Sequence, residues 1–321
     1  MRYKKFQSTD IEVSELGVGT WAIGGENYGS VDRIESIEAI NKMIDRGVNL
    51  IDTAPSYGNG QSEKIVGEAI KGKRDKVLLS TKFGYIPDYF KGGKRDTSFK
   101  NIIREIESSL YNLGTDYIDF YFIHWPDIIT PIEETMSALN FLKKQGVIRY
   151  IGVSNFSKEQ IIEAQKYGKI DVQQPPFSMV NQTSRELIEW GYSNGIESFS
   201  YGSMGAGVLS GAIRKIPNLQ PNDNRLTFYD FFEEPKFSKC MELVKTLDEI
   251  AEIREKPVTQ VTINWCTQKN FLTTALVGVR NAIQAEENCN AFDWKLTDEE
   301  VLKIDNQIAA LGLDKQSDNY E

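Results

Sequence analysis

Eight short apolar runs, at residues 16–19, 48–51, 77–80, 118–123, 150–153, 171–174, 197–200 and 274–277, alternate along this chain with segments of helical spacing. Alternation of that kind builds either a closed (β/α)8 barrel or an open, doubly wound sheet. Eight repeats favour closure, and a repeat of roughly 30 residues suits the usual size of such a barrel. No linker or shift in composition divides the 321 residues. The chain therefore reads as one α/β domain over residues 1–321, a (β/α)8 TIM barrel. Ahead of the first barrel strand, residues 3–6 and 11–13 flank the polar turn Ser8-Thr9-Asp10, which predicts an N-terminal β-hairpin at the barrel bottom.

Helix ends are marked locally. Ile34, Ile37, Ile40 and Ile44 predict one apolar stripe on a first helix that starts near Asp32 and stops at Gly47. Thr130-Pro131 with Glu133 predicts an N-cap, a proline at the first helical position and a capping-box acid, with Gly146 closing the helix. Ser157 with Gln160, and Thr183 with Glu186, repeat the capping signature. One connection is long. Residues 202–236 cluster glycine and proline and carry no convincing regular element; a loop of that length in a compact domain is usually functional or disordered. It follows the seventh strand, on the catalytic face of a barrel. Residues 314–321 form a polar tail with no assigned role.

Composition removes several classes of function. With 37 basic against 46 acidic side chains the net charge is −9, and basic runs stop at pairs such as Lys94-Arg95 and Lys143-Lys144. That argues against nucleic acid as a partner. Cys240, Cys266 and Cys289 are scattered and lack CxxC spacing, so neither a disulfide framework nor a thiolate cluster is expected, and a reducing, cytoplasmic compartment is. Catalytic zinc commonly takes two or three histidines, and this chain has one, so no metal is expected. Residues 1–10 lack the apolar core of a signal peptide, and no uncharged apolar run approaches about 18 residues, so no membrane span is predicted.

Three tempting motifs fail on context. Gly17, Gly19 and Ala22 match the dinucleotide fingerprint, which requires a helix to open at once, but a glycine-rich loop over residues 23–30 intervenes. Gly67 to Arg74 resembles a phosphate loop, yet ends in Arg74 where a hydroxyl must reach magnesium, and it sits at the wrong end of a helix for phosphate. Gly152-Val153-Ser154-Asn155-Phe156 lacks the second glycine of a nucleophile elbow.

Barrel strand ends converge on one pocket. From the second to the sixth strand they supply Asp52, Lys82, His124, Asn155 and Gln174, with Tyr57 on the loop that the second strand feeds. Alone, each has an ordinary reading as a cap, a solvated charge or an edge packer; their common register makes a site. A phenol is a poor proton donor near neutrality until an ammonium stabilises phenolate. Lys82 can supply that charge, Asp52 can hold the ammonium, and His124 can hydrogen-bond an oxygen that gains negative charge. Tyr57 would then protonate a carbonyl oxygen as hydride reaches carbon. Asn155 and Gln174 offer the donors and acceptors that fix a carboxamide.

At this point the sequence resembles the aldo-keto reductase family over nearly its whole length. Leu50-Ile51-Asp52-Thr53-Ala54-Pro55-Ser56-Tyr57-Gly58, with Ser62-Glu63 and Gly67, is similar to that family's first signature. Ser80-Thr81-Lys82, Ile123-His124-Trp125-Pro126 and residues 152–156 match its lysine, histidine and fifth-strand segments. The resemblance implies a (β/α)8 barrel using NADPH, with Asp52, Tyr57, Lys82 and His124 as a catalytic tetrad. It assigns Ser154, Asn155 and Gln174 to the nicotinamide amide and Tyr201 to the ring. Ser203, Leu209 and Ser210 fall where the family's long loop meets the pyrophosphate. Gly278, Arg280, Asn281, Gln284, Glu287 and Asn288 fall where it holds the adenosine 2′-phosphate and adenine. Arg280 is a plausible phosphate fork before a helix N-terminus, and Arg225 is a second candidate. Trp21, Tyr28, Tyr85, Trp125 and Phe228 are expected around the substrate. Val277 stands where the family usually has proline and Phe177 where it often has tyrosine, and Gln173 duplicates the amide before Gln174, which leaves the choice of glutamine open.

The reading is an NADP(H)-dependent oxidoreductase interconverting aldehydes or ketones, sugars and polyols included, with alcohols, and using NADPH in preference to NADH. The alternative from a different class is a cofactor-binding regulatory subunit with little turnover, because sequences of this kind also serve channels as redox-linked partners. A barrel glycosidase would need two carboxylates about 5–10 Å apart, and Asp127 is the only evident companion to Asp52.

Overall fold

A hairpin of β1 (Tyr3–Lys5) and β2 (Glu12–Ser14) leads into a closed parallel barrel of eight strands. In chain order the barrel strands are β3 (Leu16–Gly19), β4 (Leu50–Asp52), β5 (Leu78–Phe83), β8 (Ile118–Ile123), β9 (Ile148–Ser154), β10 (Val172–Gln174), β11 (Glu197–Ser200) and β12 (Thr274–Gly278). The short hairpin β6 (Tyr85–Ile86) and β7 (Lys94–Arg95) interrupts that series after β5. The computed structural model describes residues 1–25, 29, 31–86, 93–220 and 223–314. β12 closes the barrel by pairing with β3, Val277 opposite Val18. The eight apolar runs read from sequence are the eight barrel strands, with ends displaced by at most two or three residues.

These strands are buried on both faces, as parallel strands sheathed in helices must be. The sheath is α1 (Arg33–Asp45), α2 (Gln61–Ala69), α3 (Phe99–Leu113), α4 (Ile132–Lys144), α5 (Lys158–Gln165) and α6 (Arg185–Ser193), continued by α8 (Lys236–Arg254), α9 (Val258–Thr267), α10 (Ala282–Asn290) and α11 (Asp298–Leu311). Inside the barrel, Phe120, Phe122 and Phe199 pack with Leu50, Val172 and Leu276. The turn of the N-terminal hairpin inserts Phe6 beneath them, 5.6 Å from Phe120 between ring centroids. The predicted plug is therefore an aromatic one. Gly152 makes room for this filling, since a Cβ there would lie 2.4 Å from the Phe122 ring.

Several local expectations are corrected. Ser157 with Gln160 does form a capping box. Thr130, however, donates to the Asp127 carboxylate at 2.7 Å, and α4 begins after Pro131 with no side-chain cap. Thr183 bonds the Asn181 side chain, and α6 begins after Ser184 without a side-chain cap. On α1 the buried face is Ser36, Ala39, Ile40 and Met43, while Ile34 is 66% exposed. Ile37 and Ile44 pack against the same core, so three of the four stripe residues face inward and only Ile34 is turned out; the rotation is set by the barrel wall, which small residues approach as closely as isoleucine does. Residues 202–236 are not free of regular structure: a 3₁₀ segment spans Gly205–Ser210, and α7 (Asn224–Phe228) is a short helix. Tyr28 and residues 315–321 lie outside the described residues.

Candidate active site

Side chains alternate along a strand, and that rule builds the centre of the site. Ser80 and Lys82, two apart on β5, face into the barrel. Thr81 between them faces out and donates to Glu63 on α2 at 2.8 Å. Asp52 ends β4 as the register partner of Ser80. Its Oδ2 accepts from Lys82 Nζ at 2.7 Å, and its Oδ1 accepts from Ser80 Oγ at 2.6 Å and from Gln174 Nε2 at 2.9 Å. Lys82 also donates to the Thr53 carbonyl at 3.0 Å. Asp52 and Lys82 are 3% and 1% exposed, which makes this a buried ion pair whose other polar positions are filled. Burial works against the Lys82 ammonium, yet Asp52 and Tyr57 hold it above the usual lysine range.

Tyr57 extends over this pair, with Lys82 Nζ 4.9 Å from its ring centroid. Burial pushes the phenol up, the Lys82 charge pulls it down, and the net direction is up. His124 completes the group from the end of β8. Its ring stands edge-on to Tyr57 at 6.0 Å, and its Nδ1 lies 3.5 Å from Ser56 Oγ. Burial first, and the Lys82 charge second, hold this imidazole well below its usual range. The arrangement thus offers a protonated phenol and a neutral imidazole above a buried cation, which suits polarising and protonating an oxygen.

The Tyr57 loop is fixed by a contact that no motif revealed. Gly58 has φ +61°, and a Cβ there would sit 2.0 Å from the Gly24 carbonyl oxygen; a Cβ on Gly24 would meet the Tyr57–Gly58 backbone at 2.7 Å. Ser62 at the start of α2 gives its N–H to the Tyr57 carbonyl and its hydroxyl to Thr20. Because backbone meets backbone, Gly58→Ala is expected to shift the phenol. The expected loss of turnover is about 10²-fold, with a far-UV spectrum that stays native. A rate within twofold of wild type would show that the loop absorbs the methyl group.

The remaining assigned residues fall around this centre. Asn155 adopts φ +60°, donating Nδ2 to the His124 carbonyl at 3.0 Å and accepting from the Tyr201 hydroxyl at 2.9 Å. Ser154 Oγ donates to the Gln174 carbonyl at 2.9 Å. Gln174 faces inward, whereas Gln173 faces out and donates to Ser198 Oγ and the Leu187 carbonyl. Only Gln174 can serve the pocket. Phe177 stacks on Trp265 in a separate apolar cluster, away from these groups. Trp21 lies 6.2 Å from the Tyr57 ring and 5.4 Å from Phe228, and Tyr85 meets both His124 and Trp125.

The donor set fits a nicotinamide dinucleotide at both ends. Gln174 spends Nε2 on Asp52, which leaves its Oε1 as an acceptor for an amide, beside Ser154 and Asn155. Asn281 caps α10 by accepting from Gln284 N, while Gln284 accepts from Arg280 N. This turn holds Arg280 where a helix N-terminus also favours an anion. Gly278 opens onto empty space, Asn288 Nδ2 reaches its carbonyl, and the Glu287 carbonyl accepts from Gln260. Between the two ends, Ser203 bonds Ser200 and Ser210 bonds the Gly207 carbonyl. Leu209 is fully buried, its N–H given to the Met204 carbonyl and its carbonyl accepting from Thr262 Oγ1, so the structure turns it into the protein and not toward a ligand. Arg225 is already committed to Asp223 through two bonds of 2.8 and 2.6 Å. Asp127 spends its oxygens on Thr97, Ile129 and Thr130 rather than facing Asp52 across a pocket. Among the described residues no cluster of three His, Cys, Asp or Glu could hold a metal, and no helix is long and apolar enough to cross a membrane.

Comparison with known proteins agrees with this geometry. The family model described as aldo/keto reductase family matches residues 15–309. The chain is 39% identical over 306 residues to Aldo-keto reductase YhdN of Bacillus subtilis, covering 94% of this chain and 91% of that one. It is 33% identical over 320 residues to the NADH-specific methylglyoxal reductase of Escherichia coli, covering 95% and 97%. Among solved structures, the glycerol dehydrogenase AKR11B4 from Gluconobacter oxydans superposes with a TM-score of 0.86 at 32% identity, covering 99% and 98% of the two chains.

Proposed function

The chain belongs to the aldo/keto reductase family and is an oxidoreductase of the kind that uses a nicotinamide cofactor, and from that premise we propose that it reduces small aldehydes and ketones with NADPH, Tyr57 giving the proton. The single observation that carries the proposal is the buried chain Asp52–Lys82–Tyr57, with His124 at its mouth. When bound, the cofactor supplies hydride to the carbonyl carbon. The substrate oxygen then needs a proton and a donor to its developing charge. Tyr57 gives up its hydroxyl proton as Lys82 stabilises the phenolate, and Asp52 keeps Lys82 charged and aimed. His124, neutral, donates a hydrogen bond to the same oxygen. Ser154, Asn155 and Gln174 would hold the carboxamide, Tyr201 would flank the ring, and Arg280 would take the adenosine 2′-phosphate.

NADPH rather than NADH rests on Arg280, on the turn before α10. The E. coli relative is named as NADH-specific, so the two cofactors should be run in parallel. Purified protein with methylglyoxal, glycerol-related aldehydes and keto-sugars is expected to consume NADPH faster than NADH. Equal or reversed rates would remove the cofactor assignment, and NADPH binding without any turnover would favour a regulatory subunit.

The pH profile tests the protonation states. With phenol raised and imidazole lowered, neither group changes charge in the free enzyme between about pH 6.5 and 10. The value of kcat/KM for reduction should be level through neutrality and fall on an alkaline limb, whose apparent pKa belongs to the coupled Tyr57–Lys82 pair. An acid limb near pH 6.5 that vanishes in His124→Gln would overturn the neutral imidazole.

A further inference from the structure

Beside His124 lie the rings of Tyr85 and Trp125, with Arg95 over the second of them. On the β6–β7 hairpin, Tyr85 is the register partner of Arg95. The Tyr85 ring stands edge-on to His124 at 5.5 Å and leans on Trp125 at 6.2 Å. Arg95 lies over Trp125, its Cζ 5.5 Å from the centroid, and gives Nη1 to the Pro126 carbonyl at 3.3 Å. Those partners, a ring and a carbonyl, carry no formal charge. Among the described residues Arg95 has no ion pair. Asp127, next to Pro126, is occupied with Thr97, Ile129 and Thr130, and Asp96 is occupied with Ser98.

The backbone flanking the hairpin is anchored on both sides. Glu105 on α3 accepts from Gly84 N at 2.9 Å and from Asn101 Nδ2 at 2.7 Å, and Asn101 Nδ2 also reaches the Asp96 carbonyl at 2.7 Å. Both ends of the hairpin are thereby tied to one helix. On a chain of net charge −9, a guanidinium with no carboxylate partner among the described residues draws anions, and its remaining N–H fork matches a carboxylate or a phosphate.

We infer that Arg95 is a specificity-determining residue, selecting carbonyl substrates that carry an anionic group a few atoms from the carbonyl. This rests on the reductase reading of the site. The test uses two pairs that differ by the anion: succinic semialdehyde against butanal, and glycolaldehyde phosphate against glycolaldehyde. At low ionic strength the wild-type kcat/KM is expected to favour the anionic member of at least one pair by about tenfold, and the preference should shrink with added salt. The pair with the larger ratio identifies carboxylate or phosphate. Arg95→Gln should lower the anionic member's value to that of its neutral partner and leave the neutral member within about twofold.

Equal values in the wild type, or a preference that survives in Arg95→Gln, would overturn the inference. Where neither member of a pair is turned over, calorimetric binding of succinate or ethyl phosphate to the enzyme–NADP complex decides. Binding weakened about tenfold by Arg95→Gln supports the subsite, and binding that is absent or indifferent to the substitution removes it. Tyr57→Phe is run alongside. Rates that survive that change defeat the reductase reading, while the binding measurement still reports on Arg95.

Discussion

Tyr57→Phe is expected to lower kcat for carbonyl reduction by roughly 10²–10⁴-fold, the range for loss of a positioned proton donor, while NADPH binding stays within a few-fold of wild type. The substitution removes one oxygen and keeps the ring. The ring's packing against Trp21 and the Lys82 ammonium beneath it should therefore persist. Stability should change little, because the lost atom served chemistry rather than the core. Stopped-flow single turnovers with quenching of cofactor fluorescence separate the two steps. A single-turnover rate equal to wild type would show that the proton comes from elsewhere.

Lys82→Met should produce the second large effect, and it should appear in stability as well as in rate. Asp52 would keep Ser80 and Gln174 as donors but lose the cation that neutralises it. Removing one member of a buried ion pair costs about 3–5 kcal/mol, because the remaining charge is left uncompensated. Adding Asp52→Asn to Lys82→Met removes that charge. Denaturant unfolding should then recover most of the lost stability, since replacing both partners of a buried pair is often close to neutral. Turnover should remain low in both variants, because the phenolate would have no cation beneath it. A double variant as unstable as the single one would mean that Lys82 holds the barrel together by packing, not by charge.

Much of this was legible in the order of residues. Asp52, Lys82, His124, Asn155 and Gln174 were found by taking strand ends in turn, which works because each strand announces itself through a local apolar run. Ser80 could have been found the same way, lying two residues before Lys82 on the same face. The choice between Gln173 and Gln174 follows from the same alternation once β10 is paired with β9 in register. Gly24 and Gly58 gave no such signal. They are ordinary turn glycines until the β3 and β4 loops are laid against each other. Arg95 was likewise only half of a basic dipeptide until its hairpin was folded over Trp125.

The barrel, its bottom plug and the groups at its strand ends could be read residue by residue, because period, strand ends and turn residues are properties of short stretches. The tertiary structure decided which of those groups touch. Gln174 reaches Asp52 across 122 residues of chain, an approach set by closure of the barrel. It also decided the helix faces, where α1 turned Ile34 to solvent and buried Ser36, Ala39, Ile40 and Met43. Contacts of that kind depend on the shape of a partner surface, and no local pattern encodes the shape of something far away in the chain.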